Sequence, residues 1–239
     1  MKIEAGVQAR LGTAVPEAML CPLSRSETEG LAFKAARGAG LGWGLAEEAA
    51  FATGWLAAQG IDGAGALLAC LVARMSRPAA PPVMTKGRWS AGEGRALCPL
   101  ATGVALVDFA FLEDGPFAAK TALELVHLPV LLLPFLSQVA IAKRQTVRID
   151  WNGHVFDLGA SLAVQGAAFA KFCASPAAGL SLSLGGPLPE TPVAPDRAGF
   201  AAVSTYTLSA LESLALRTTV PATEASRQGG AGAGTSDND

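Results

Sequence analysis

The stretch TVRIDWNGHVFDL, residues 146–158, constrains the fold more tightly than any other part of the chain. Two runs of alternating apolar and polar residues flank Asn152–Gly153, a dipeptide suited to a type I′ turn because both central positions need φ > 0. A two-residue loop sets the register. Trp151 faces His154, Ile149 faces Phe156 and Val147 faces Leu158, while Arg148 meets Asp157 on the opposite side. One face is apolar and the other carries an opposite-charge cross-strand pair, as pairing on a half-buried antiparallel sheet requires. His154 is expected to pack on the apolar face beside Trp151.

Upstream the periodicity is helical. SRSETEGLAFKAARGAG opens with Ser24 as N-cap and Glu27 three residues on, a capping box, and ends at Gly38 and Gly40. GWGLAEEAAFATGWLAAQG predicts a second helix with Glu47 and Glu48 in its first turn, a stripe of Leu45, Ala49, Ala52 and Leu56, and Gly60 as its stop. Asp62 caps a third, whose buried face is Leu67, Leu68, Leu71, Val72 and Met75. After the Pro-rich loop at 77–83, the reading is a strand at 102–112, a helix from Pro134 to about Arg144, the hairpin, a helix at 161–173, a strand at 179–184, a second Pro-rich loop at 185–199 and a helix ending near Arg217. The expected class is α+β, an N-terminal three-helix unit followed by a mixed sheet with packed helices. The expected divisions are an extension at 1–18, a helical unit at 19–76, an α+β body at 84–228 and a glycine-rich segment at 229–239.

Only 16% of the residues are charged against 51% hydrophobic, so little charge covers the surface, and a homo-oligomer, favoured as a homodimer, is expected. The net charge of −2 supplies no basic stripe for nucleic acid. The most apolar run, LPVLLLPFLSQVAIA at 128–142, is broken by Pro129 and Pro134 and falls short of the roughly 20 residues of a spanning helix, so no membrane partner is expected. The first residues show no secretory signal pattern, and the cytoplasm is the expected compartment. Cys21, Cys70, Cys98 and Cys173 lie far apart without a C-x-x-C pair, which predicts reduced thiols rather than zinc ligands or a disulfide framework.

The binding candidates fall in two groups. In the body they are Trp43, Glu47 and Asp108, the last read as a polar strand position or a carboxylate at a strand end. His127 is placed near a helix C-terminus, and nothing in the spacing brings Cys98 to a histidine. The second group is C-terminal. Pro221 begins a short helix, PATEASRQ, carrying Glu224, Ser226 and Arg227, and beyond it Asp237 and Asp239 close the chain. Gly230, Gly232 and Gly234 give G-x-G-x-G with no strand before and no helix after, which is not a dinucleotide loop. Asp237, Asp239 and the terminal carboxylate together would suit a hard cation such as Mg²⁺, but D-N-D alone assigns no metal site. No cofactor is identified.

ETEGLAFKAARGAGLGWGLAEEAA, CPLATGVALVD, LLLPF and RTTVPATEASRQGGAGAGTSDND together resemble a bacterial family known only as a domain of unknown function. The resemblance implies an ordered glycine-rich terminus and no known activity, substrate or catalytic residue. The helical unit alone is similar to the opening of the malate/lactate dehydrogenases that lack a Rossmann domain, whose R-G-I-D-S-H-G pattern corresponds here to GIDGAG, with Ala64 in the histidine's place. That likeness implies a shared helical architecture and no hydride transfer. The resulting expectation is a small-molecule enzyme or enzyme subunit whose pocket is closed by the C-terminal segment; the alternative is a non-catalytic interaction or assembly protein.

Overall fold

Ser24 caps the start of the first helix as its sequence implies. In the computed structural model, which describes residues 19–77, 81–92, 94–162, 166–188 and 200–219, the Glu27 amide donates to Ser24 Oγ at 3.2 Å and the Ser24 amide to Glu27 Oε2 at 2.8 Å. This capping box starts α1 (Arg25–Gly38), which turns Thr28, Ala32, Ala35 and Ala36 inward. Helix α2 (Trp43–Ala58) has Gly42 at its N-cap, without a side-chain bond, and starts early enough that Glu47 and Glu48 fall in the second turn. The expectation that both carboxylates meet the helix dipole in the first turn is therefore corrected, because that field fades within one turn. Asp62 Oδ1 accepts the Gly65 amide at 2.7 Å and opens α3 (Gly63–Ser76). Every residue of α3 from Gly63 to Val72 is buried, so it is the central helix and not an amphipathic one. Met75, expected in its buried face, is 40% exposed, since the last turn emerges from the core.

The sheet that follows has six strands in the order β2 (Val83–Thr85), β3 (Arg88–Ser90), β4 (Thr121–His127), β7 (Ala177–Pro187), β5 (Gln145–Trp151) and β6 (His154–Leu158). All neighbours are antiparallel except β3 and β4. The β5–β6 hairpin has the register read from the sequence, with Asn152 at φ 50° and Gly153 at φ 77°. Arg148 grips both oxygens of Asp157 at 2.8 Å. His154 is a correction. It sits at the exposed end of edge strand β6, its ring 6.2 Å from that of Trp151, and is not packed inside.

Two further corrections concern element type. Residues 102–112, expected as a strand, contribute to α4 (Pro99–Asp108), an α-helix with Pro99 at its first position. Thr102, Gly103 and Leu106 take its buried side, and a short apolar run cannot by itself separate a buried helix from a strand. The helix expected at 161–173 is confined to α6 (Ala167–Cys173), because Gly166 at φ 134° lies outside helical geometry. The apolar run at 128–142 forms a 3-10 turn (Pro129–Leu132) and α5 (Leu133–Lys143), with Leu131, Leu132, Leu133 and Phe135 wholly buried. No helix among the described residues is long and apolar enough to cross a membrane.

A second sheet, unforeseen in the sequence, pairs β1 (Leu20–Ser24) with β8 (Phe200–Ser204) antiparallel and leads into α7 (Thr205–Ala215), which packs on α1. The class is α+β, with the three N-terminal helices and a mixed sheet sharing one core that runs from Ala32 to Leu214. That core covers one face of the large sheet, where Leu123, Val147, Ile149, Leu180 and Leu182 are buried and α6 adds Phe172, 5.5 Å from Trp151. The other face is solvated and carries the pairs Lys120–Asp150, Arg148–Asp157 and Arg88–Glu124. Exposed pairs of this kind contribute little to stability, because water and salt screen them.

Candidate functional site

Chemistry concentrates where the loop after β3 enters α4. Leu97 forms a parallel bridge with Val126, its amide donating to Leu125 O at 2.7 Å and its carbonyl accepting from the His127 amide at 3.1 Å. The next residue, Cys98, is the N-cap of α4 with φ −70° and ψ 119°, and Pro99 fixes the first helical position. The Cys98 side chain makes no capping hydrogen bond, and the nearby Leu100 and Ala101 amides favour its thiolate. Cys70, in the middle of α3, is close enough to influence the same thiol.

The neighbouring Cys70 thiol is the largest influence holding the Cys98 thiol below its ordinary value. Burial opposes it, while the two helix amides and the charge of Arg74 add to it. Arg74 lies one turn beyond Cys70 on α3, so both present to the same side of that helix. Cys70 moves the other way, well above an ordinary thiol, because its proton is held by Cys98 and because it is buried. The two shifts run in opposite directions, Cys98 down and Cys70 up. Cys173, by contrast, is pushed up to about 12 by burial alone.

His127 follows the bridge residue Val126 on β4, as Cys98 follows Leu97, so the two chains carry a histidine and a cysteine at successive positions past the bridge. It ends a strand and does not lie near a helix C-terminus, which corrects the expected placement. Burial lowers its pKa and keeps the imidazole neutral at pH 7. Thr102, one turn into α4 from Cys98, is 1% exposed and its Oγ1 has no hydrogen-bond partner among the described residues.

The candidates read from the sequence lie elsewhere. Trp43 is 62% exposed at the start of α2, with the Phe33 ring edge-on at 5.2 Å and the Arg37 guanidinium 5.0 Å from its centroid. Glu47 is exposed one turn further on. Asp108 is the exposed last residue of α4, so its reading as a strand position is corrected. The structure brings Glu47 and Asp108 to the same neighbour, Glu48, whose carboxyl is raised by burial and then by those two charges. No group of three metal-ligating side chains occurs among the described residues. Glu224, Ser226, Arg227, Asp237 and Asp239 lie outside the described residues, as do the short helix at 221–228 and the glycine-rich segment.

The wide sequence separation of Cys70 and Cys98 hid their contact. The available local signal was Cys98–Pro99, a cysteine directly before a proline that can open a helix. The other Cys-Pro-Leu, residues 21–23, lies in β1, so the repeated tripeptide has two different structures. No curated protein and no solved structure matches the chain significantly. Residues 23–111, which hold Trp43, Cys70, Cys98 and Asp108, match the family described as protein of unknown function (DUF3726).

Proposed function

We propose that the protein is a small-molecule enzyme or enzyme subunit that acts through Cys98 as a thiolate nucleophile on an electrophilic carbon. The observation that carries the reading is the place of Cys98 at the N-cap of α4, with Pro99 at the first helical position, where the helix-start amides and the neighbouring Cys70 thiol favour its thiolate. A thiolate attacks where a thiol does not, and its activation at a helix N-terminus near a cation follows from the positive potential there. Cys98 is 9% exposed, which suits a small electrophile approaching a restricted site. The C-terminal segment, with Glu224, Ser226, Arg227, Asp237 and Asp239, is the element assigned to close over it.

The test is alkylation by iodoacetamide followed by peptide mass spectrometry across pH. Cys98 is expected to react faster at pH 7 than the more exposed Cys21, with a midpoint below the roughly 8.5 of a free thiol. The direction follows from the sign of the shift: a lowered thiol pKa moves the thiolate to lower pH. A midpoint at or above that value, or slower reaction than Cys21, would end the nucleophile reading. A chain stopped at Gln228 is expected to be alkylated at Cys98 faster than the full chain; equal rates would remove the closing role of the terminus.

The assembly reading has its own observation. Phe111 and Leu112, just after α4, are 66% and 57% exposed, with the Lys143 ammonium 4.2 Å from the Phe111 ring centroid. If this surface joins two copies, Phe111→Asp yields a monomer by light scattering at micromolar concentration where the parent chain is a dimer. A monomeric parent chain at that concentration would remove the homodimer.

A further inference from the structure

We infer that the free edge of β6 pairs with β6 of a second copy, antiparallel and about a two-fold axis at Phe156, so that the two large sheets run on as one. The inference goes beyond the reading of Cys98, on which it does not depend, and it places the junction on a surface other than that of Phe111.

The six-stranded sheet ends at β2 on one side and at β6 on the other. The two ends differ. β2 has three residues and follows Pro81 and Pro82, a short edge beside prolines of the kind that discourages strand addition. β6 has five residues, HVFDL, without proline or lysine, and it runs beside β5 in unbroken register. The turn at Asn152–Gly153 decides which main-chain groups are used. Trp151 and His154 flank that two-residue turn as a hydrogen-bonded pair, so Phe156 and Leu158 also bond to β5, while Val155 and Asp157 direct their N–H and C=O groups outward. Among the described residues no strand lies beyond them.

This edge is complementary to itself. An antiparallel two-fold at Phe156 sets Val155 of one copy opposite Asp157 of the other, and the reverse, so each outward N–H meets an outward C=O. The Asp157 charge does not oppose the pairing. Arg148 already holds both of its oxygens at 2.8 Å, so the axis brings no bare like charges together. Val155, 56% exposed, is partly covered by the second copy, and on the opposite face Phe156 meets its own counterpart. A two-fold contact closes on itself, whereas β6 added to β2 of the next copy would continue as an open fibre.

Amide exchange on the full chain, read residue by residue at two concentrations beside light scattering, tests the pairing. The parent chain is expected to be a dimer at the higher concentration. The Val155 and Asp157 amides are expected to exchange about 10-fold more slowly where about 90% of the chains are paired, because exchange then runs only through the free copy. The Phe156 and Leu158 amides, bonded within the hairpin, are expected to be slow at both concentrations. Val155→Pro, which removes one outward N–H at an edge position that tolerates proline, is expected to give a monomer with the Phe156 and Leu158 amides still slow. Val155→Thr and Phe111→Asp are expected to remain dimers. A monomeric parent chain, or a dimer in which the Val155 and Asp157 amides exchange equally fast at both concentrations, overturns the inference. So does a Val155→Pro dimer with an intact hairpin; if that variant loses the hairpin, the parent exchange series decides alone. Iodoacetamide reactivity of Cys98 reads the nucleophile separately, so either reading can fail without the other.

Discussion

Truncation of Phe135 to alanine is expected to cost about 3–5 kcal/mol of stability, the range for removing a large aromatic side chain from a core. Phe135 is wholly buried on α5, edge-on to Phe51 at 6.2 Å, and its ring lies directly over Gly103 of α4. A Cβ at position 103 would collide with that ring, so Gly103→Ala is expected to lose about 1–3 kcal/mol by overpacking, despite the roughly 1 kcal/mol that alanine gains over glycine inside a helix. The two changes act on one contact, and the double variant is expected to be less destabilised than the sum of the singles by about 0.5–3 kcal/mol. Urea denaturation of the four proteins measures this through the midpoint at constant slope. Additivity within about 0.3 kcal/mol would mean that helix α4 does not meet α5 at this pair.

Gly38→Ala is the second large effect, and its sign is informative. Gly38 ends α1 where a side chain would run into the carbonyl of Leu214 on α7, a backbone group that cannot swing aside. Stability is expected to fall by about 1–3 kcal/mol, with a drop in Tm of about 2–12 °C for a chain of this size. Gly30, exposed on the same helix with nothing near its would-be Cβ, is the control. Gly30→Ala is expected to raise stability by about 0.5–1 kcal/mol through helix propensity alone. Matching gains at both positions in thermal melts would show that α7 does not dock on the end of α1.

The mutual influence of Cys70 and Cys98 and these close contacts share a property: each joins residues that are distant in sequence. Cys98 meets Cys70 because α4 starts beside the middle of α3, and the bridge at Leu97 fixes where that start lies. The acidic neighbours Glu47 and Asp108 were both singled out from the sequence, yet it is Glu48 between them that takes the raised pKa. Electrostatic shifts depend on distance and burial, and neither quantity is encoded by a residue's own type.

What the amino-acid sequence determined by itself is local. The capping box at Ser24 and Glu27, the Asp62 cap, and the hairpin register around Asn152–Gly153 each rest on interactions within a few residues, and each appears in the structure as read. The element type of residues 102–112 was decided by tertiary structure, since an apolar run satisfies either a buried strand or a buried helix until its neighbours are placed. So were the pairing of β1 with β8, the exposure of His154 on an edge strand, and the meeting of two cysteines from separate helices. The physical reason is the same in each case. Caps and tight turns are set by short-range sterics and hydrogen bonds, whereas strand partners, burial and thiol ionisation depend on which distant surface closes over a residue once the core has formed.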